Sequence, residues 1–160
     1  MMNTKKIIQN CFVITAVALV LIQFVRPTKN DQSAESANDI GHVVNVPQNI
    51  KLILKSACYD CHSNYTEYPW YAEIMPIGLW LNHHVEEGKE HLNFSEFATY
   101  SVKRQDHKLE ETAEEVGEQE MPLSSYTIIH RDTKLTAAQI EQLVSWVGSA
   151  RAEINYTETK

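Results

Sequence analysis

The sequence predicts an all-α chain: an N-terminal apolar helix (residues 1–26), a polar linker (27–46), one helical domain (47–152) and a polar tail (153–160). Three observations predict it. Apolar residues recur at helical spacing in several separated windows. Capping signals stand at the edges of those windows. No window alternates as a half-buried strand does, and no stretch repeats.

Lys5 and Lys6 precede residues 7–25, a 19-residue stretch whose only clearly polar side chains are Gln9, Asn10, Thr15 and Gln23. As a helix it measures roughly 28 Å, close to the hydrocarbon thickness of a bilayer. The expectation is an uncleaved, single-pass anchor. The alternative is a cleaved secretory signal. Its apolar region would be unusually long, and its nearest small-x-small site, Ala34-Glu35-Ser36, lies well past the end. Cys11 lies too early, with the wrong flanks, for lipid attachment. Lys5 and Lys6 on one side, against Arg26 and Lys29 on the other, lean slightly to an internal N-terminus.

Residues 27–45 are polar and without apolar periodicity, so they are expected to be a tether, with His42 solvated. The domain opens at Pro47, suited to the start of a helix. Ile50, Ile53, Leu54 and Ala57 form one apolar face. Pro76 is expected to start the next helix, residues 77–89, with Leu79, Trp80 and Val85 inward and Gly88 at its end. Asn93 or Ser95 caps a short turn around Phe94 and Phe97. Leu109, Ala113 and Val116 define a helix that Gly117 ends. Residues 124–130 form a short helix. The last helix, 136–150, opens on a Thr136/Gln139 capping box and buries Ile140, Leu143, Val144 and Val147, with Trp146 beside them.

With 160 residues there is room for one domain. After Arg26 stand 21 acidic side chains against eleven lysines and arginines, which excludes a nucleic-acid partner and suits a basic protein partner. Only Cys58 and Cys61 fall in the domain, so it is not a disulfide scaffold.

Those two cysteines stand in Cys58-Tyr59-Asp60-Cys61-His62. C-x-x-C-H is the attachment signature of a c-type haem. Each thiol can add to one vinyl group of the same porphyrin, and the following histidine is held beneath the iron. A redox dithiol would want a βαβ context, and a zinc site a second ligand pair; His83 and His84 fit no common finger spacing. His62 needs an acceptor for its other ring nitrogen, expected from a backbone carbonyl within residues 69–76. Covalent haem attachment would place the domain on the periplasmic, extracytoplasmic side of the inner membrane.

For the sixth iron position the choice is Met121, 59 residues after His62, in a polar loop before Pro122. A thioether raises the potential relative to a second histidine. The bland alternative is a core methionine. Met75 is the other thioether candidate, next to Pro76 but only 13 residues after His62. His83, His84, His91, His107 and His130 keep bis-histidine ligation open. The run Asp106, Glu110, Glu111, Glu114, Glu115, Glu118 and Glu120 is either a solvated helix face or a docking surface for a basic redox partner. Trp70, Tyr71, Trp80 and Trp146 pack on the porphyrin or in the core.

Further blocks accompany the motif. Cys58-Tyr59-Asp60-Cys61-His62-Ser63-Asn64, Tyr68-Pro69-Trp70-Tyr71, His84, Glu87-Gly88 and Leu92-Asn93-Phe94-Ser95 resemble the bacterial haem-binding domain family. So do Met121-Pro122-Leu123-Ser124-Ser125-Tyr126, His130 and Leu135-Thr136. The likeness covers about residues 47–147. It implies a membrane-anchored c-type cytochrome with a class I cytochrome c-like domain around one covalent haem, and Met121 as the distal ligand.

The expectation is therefore a one-electron carrier rather than an enzyme, because two filled axial positions leave no open site. Its partners would be haem, a redox protein and the membrane. The alternatives are a haem sensor or peroxidase-like enzyme with a displaceable sixth ligand, and a domain that only anchors haem in a larger assembly.

Overall fold

The computed structural model describes residues 4–32 and 36–154. Ala34 and Glu35 of the small-x-small site, and residues 155–160 of the expected tail, lie outside the described residues. Among those described there is no strand; one isolated antiparallel bridge joins Asp31 to Tyr65.

Helix α1, Thr4–Ile22, buries none of its residues against the rest of the protein. It is long and apolar enough to cross a membrane by length and composition. Helix α2, Gln48–Ala57, buries Ile50, Ile53, Leu54 and Ala57, the four residues its periodicity singled out. It breaks at Cys58 into a single turn, α3, Tyr59–His62. Helix α4 follows as Ile77–His91, α5 as Val102–Gly117, α6 as Ser124–Ile129 and α7 as Ala137–Ile154.

The core is built on α5 and α7, the most extensively packed helix pair, with α2 laid against α7. Leu54, Leu109, Val116, Leu143 and Val147 fill it, together with Phe94 and Phe97 from a 3-10 segment capped by Asn93. Ser101 caps α5, and Thr136 and Gln139 exchange the capping-box bonds that open α7.

Four local expectations change. Gly88 does not end α4, which continues to His91. The buried face of α4 is Gly78, Leu81 and Val85, while Trp80 is 46 % exposed. In α7, Trp146 is buried and donates its indole N–H to the Asn45 carbonyl at 2.9 Å, whereas Val144 faces outward. A tryptophan buries more area than a valine once its one polar atom has a partner, so the helix settles with the ring inward.

The largest change concerns residues 27–46. Ile40 and Val44 belong to the core, and Asn30 is buried. The Asn30 amide donates to the Ser63 carbonyl and to Thr66 Oγ1, both at 2.9 Å, and its oxygen accepts from Lys89 Nζ at 2.6 Å. Thr66 N–H donates back to the Asn30 carbonyl and Gln32 N–H to that of Asn64. The described residues of the stretch form a strap bonded to the domain. It is held by two separated core side chains, Ile40 and Val44, and by polar groups satisfied one by one, which leave no apolar periodicity to read.

Candidate functional site

Helix α2 delivers the motif. Cys58 N–H still bonds back to the Leu54 carbonyl, and the Cys58 carbonyl then accepts from both Cys61 N–H and His62 N–H. This tight turn presents both sulfurs and the imidazole from five consecutive residues. The thiols are unpaired. Burial pushes Cys58 up to about 12 and Cys61 up to about 11, so both are neutral near pH 7. A redox dithiol works through a lowered thiol pKa, so this environment does not suit one.

His62 is held by α4. Its Nδ1 lies 3.0 Å from the Leu92 carbonyl, just past the end of that helix. Burial holds the imidazole below its ordinary pKa, so it is neutral. A neutral ring that donates from Nδ1 has its lone pair on Nε2. The acceptor is thus Leu92, and not a carbonyl of residues 69–76. Those residues turn away to meet the end of α1, and α4 brings the chain back to the motif.

Gly88 permits that approach. A Cβ there would lie 2.6 Å from the Cys61 carbonyl oxygen and 3.1 Å from Cys61 Cβ. Helix α4 therefore packs backbone to backbone on the motif turn. Below it, Asn64 N–H donates to Ser95 Oγ, Asn93 Nδ2 to Asn64 Oδ1, and Thr66 Oγ1 to the Asp60 carbonyl. This buried network fixes the motif to the Leu92–Ser95 segment.

A second set of bonds ties the Met121 segment to the motif. Asp60 accepts from the Tyr126 hydroxyl at 2.7 Å and from Glu67 N–H at 3.0 Å. Tyr126 stacks on His130 with ring centroids 4.5 Å apart, and His130 Nε2 meets the Tyr71 hydroxyl at 2.7 Å. Burial, then the Asp60 hydrogen bond and charge, raise the Tyr126 pKa, so the phenol keeps its proton and donates it. Met121 itself is half-buried against the core. Met75 is buried at the base of α4, with its Cε near Gly78.

The histidines separate by environment. His83 and His107 are exposed beside Glu87 and Glu111. His42 and His91 are exposed, and His130 is bonded to Tyr71. His84 differs: its Nε2 is buried with no hydrogen-bond partner, and the ring meets Trp80 edge-on at 4.5 Å. No group of three or more His, Cys, Asp or Glu that could hold a metal ion occurs among the described residues. Trp146 is a core residue, while Trp70 is 78 % exposed. In the acidic run, Arg151 pairs with Asp106 and Glu110, and Lys108 with Glu111; Glu114, Glu115, Glu118 and Glu120 face solvent.

The residues present suit a haem. Two neutral thiols and an imidazole with one fixed and one free nitrogen form the donor set of C-x-x-C-H. A polar network holds their backbone, and a nearby segment carries a thioether. Sequence reasoning missed Leu92, Asn30 and the Asp60–Tyr126 bond. Leu92 and Tyr126 each left a trace, in the Leu92–Ser95 and Met121–Tyr126 blocks, but nothing there marked the Leu92 carbonyl or the Asp60 bond, and Asn30 left none.

A family model described as a haem-binding domain matches residues 17–149. No curated protein and no solved structure matches the chain.

Proposed function

Because the chain belongs to the haem-binding domain family, we propose that it is a membrane-anchored monohaem c-type cytochrome with a cytochrome c-like domain, carrying single electrons on the extracytoplasmic side. The observation that carries this reading is the His62 geometry: Nδ1 committed to the Leu92 carbonyl, Nε2 free, one residue after the second of two unpaired thiols.

Cys58 and Cys61 would hold the macrocycle through two thioether bonds, and His62 Nε2 and Met121 Sδ would ligate the iron. The bound group supplies a reversible one-electron couple. The chain keeps the histidine neutral and oriented through Leu92, and ties the Met121 segment in place through Asp60 and Tyr126. None of these tasks needs a substrate site, so the protein is proposed as a carrier and not an enzyme. Glu114, Glu115, Glu118 and Glu120 offer an acidic docking face to a basic partner.

One observation favours a second reading. The free, buried Nε2 of His84 is what a distal acid/base would present in a sensor or peroxidase-like protein.

The test uses the full chain, produced in a host able to mature c-type haem, with absorption spectra of both redox states and a pyridine haemochrome assay. Covalent haem is expected, with a methionine–iron charge-transfer band that Met121→Ala abolishes. A band that survives Met121→Ala removes Met121 from the iron. Rapid carbon monoxide binding that changes in His84→Ala favours the second reading. No covalent haem in wild type defeats both.

A further inference from the structure

We propose that the haem domain does not hang from its anchor but lies on the bilayer, with an apolar face of Trp70, Ile74, Ile77 and Trp80 seated in the membrane interface. The proposal rests on the reading of α1 as a membrane span and deepens it by assigning a second lipid contact.

The end of α1 fixes a depth. Its apolar run continues through Phe24 and Val25, both exposed, and the first charge after it is Arg26. The hydrocarbon edge therefore falls near residue 25. At this level the helix is bonded to the domain. Gln23 Nε2 donates to the Met75 carbonyl at 2.7 Å, and Met75 N–H donates back to Gln23 Oε1 at 3.1 Å. The Arg26 guanidinium donates to the Glu73 carbonyl at 2.9 Å. Residues 73–75 are thus held where α1 leaves the membrane.

The neighbours of Met75 must share that depth. Consecutive Cα atoms lie about 3.8 Å apart, so Ile74 is one such step from Met75 and Ile77 at most two. Ile74 is 43 % exposed and Ile77 44 %. Trp80 follows Ile77 at i+3 on the same helix face, and Trp70 stands on the 3-10 segment Trp70–Glu73 that Arg26 touches. Four large apolar side chains left to water at this place would be costly; in the headgroup region tryptophan is the favoured residue.

Charge agrees with the assignment. Glu73 is the acid of this face, and Lys29 and Arg26 both pair with it. The Lys29 hydrogen bond and charge hold its carboxyl below the usual range. The solvent-facing cluster Glu114, Glu115, Glu118 and Glu120 lies on and just past α5, which packs on α7. Within residues 70–80 the one acid, Glu73, is thus neutralised.

The test uses the full-length haem-loaded protein in phosphatidylcholine nanodiscs containing a phospholipid with a photoactivatable diazirine high on its acyl chain. Adducts are located by mass spectrometry. Adducts are expected on α1 and within residues 70–80. Trp70→Ser with Ile77→Ser should lower those on 70–80 by more than tenfold, with the α1 adducts and the haem spectrum unchanged. Trp70→Ser alone, at the most exposed position, should lower them severalfold and guards against a folding defect in the double variant. Adducts on α1 but none on 70–80 overturn the proposal and leave the face to a protein partner or to the haem edge. A wild-type chain that needs no lipid and takes no label on α1 overturns the membrane-span reading itself, and the proposal with it.

Discussion

Gly88 and Gly148 are both helical glycines, yet their surroundings predict opposite outcomes for the same substitution. Alanine is the better helix former by about 0.5–1 kcal/mol. At Gly148 a Cβ meets nothing within 4 Å, so Gly148→Ala is expected to stabilise by about that amount. At Gly88 the new Cβ meets the Cys61 backbone, which cannot swing away as a flexible side chain could. Overpacking of this kind costs about 1–3 kcal/mol and exceeds the helix gain, so Gly88→Ala is expected to destabilise. Urea unfolding of the two variants checks the sign. The Gly88 variant should also perturb the haem spectrum, since the displaced atoms belong to the motif.

The α5–α7 pair joins its apolar seam to a charged clasp. Arg151 donates to both carboxylate oxygens of Asp106, at 2.8 and 3.0 Å, and also reaches Glu110. That guanidinium holds the Asp106 carboxyl below its ordinary value. A depressed carboxyl contributes stability that is fully present above its unfolded pKa and is lost as pH falls through the folded one. Wild type should therefore lose stability faster than Arg151→Ala as pH drops below about 4, by about 1 kcal/mol in all for a partly exposed bidentate pair. Urea midpoints of the two proteins, followed from pH 6 to pH 2, should converge toward acid. Parallel curves would show that the clasp contributes nothing to folding.

At the scale of the whole molecule the question is whether the domain is leashed or fastened. Gln23, Arg26, Lys29 and Asn30 each bond to the segment between Ser63 and Met75, and Asn30 also to Lys89. The family match begins at residue 17, inside α1, so the fastening lies within the matched region. A strap held at a fully bonded buried amide such as Asn30 opens rarely, and a protease cuts what opens. Residues 27–32 and 36–46 should resist limited proteolysis in wild type. Asn30→Ala leaves the Ser63 carbonyl without its buried partner and should speed cleavage there severalfold, while cleavage within α7 stays unchanged. An anchor fastened in this way transmits orientation as well as position, and that is what would allow one face of the domain to meet lipid.

What the sequence determined by itself is what short-range physics encodes. The faces of α2 and α5 follow from apolar spacing, the start of α7 from a capping box, and the motif from five adjacent residues. What only the tertiary structure decided depends on how helices meet. The acceptor for His62 is a backbone carbonyl, which every residue carries, so no side chain marks Leu92 in advance. Gly88 looked like a helix end because glycine often is one; the approach of the Cys61 backbone gives it another reason. Residues 27–46 read as a tether because one buried amide, Asn30, and two separated core residues, Ile40 and Val44, leave the composition of a loop. Trp146 turns inward in place of Val144, since the Asn45 carbonyl accepts its indole N–H across the fold. Periodicity and local chemistry are written along the chain, whereas partners a hundred residues apart meet only once the helices have packed.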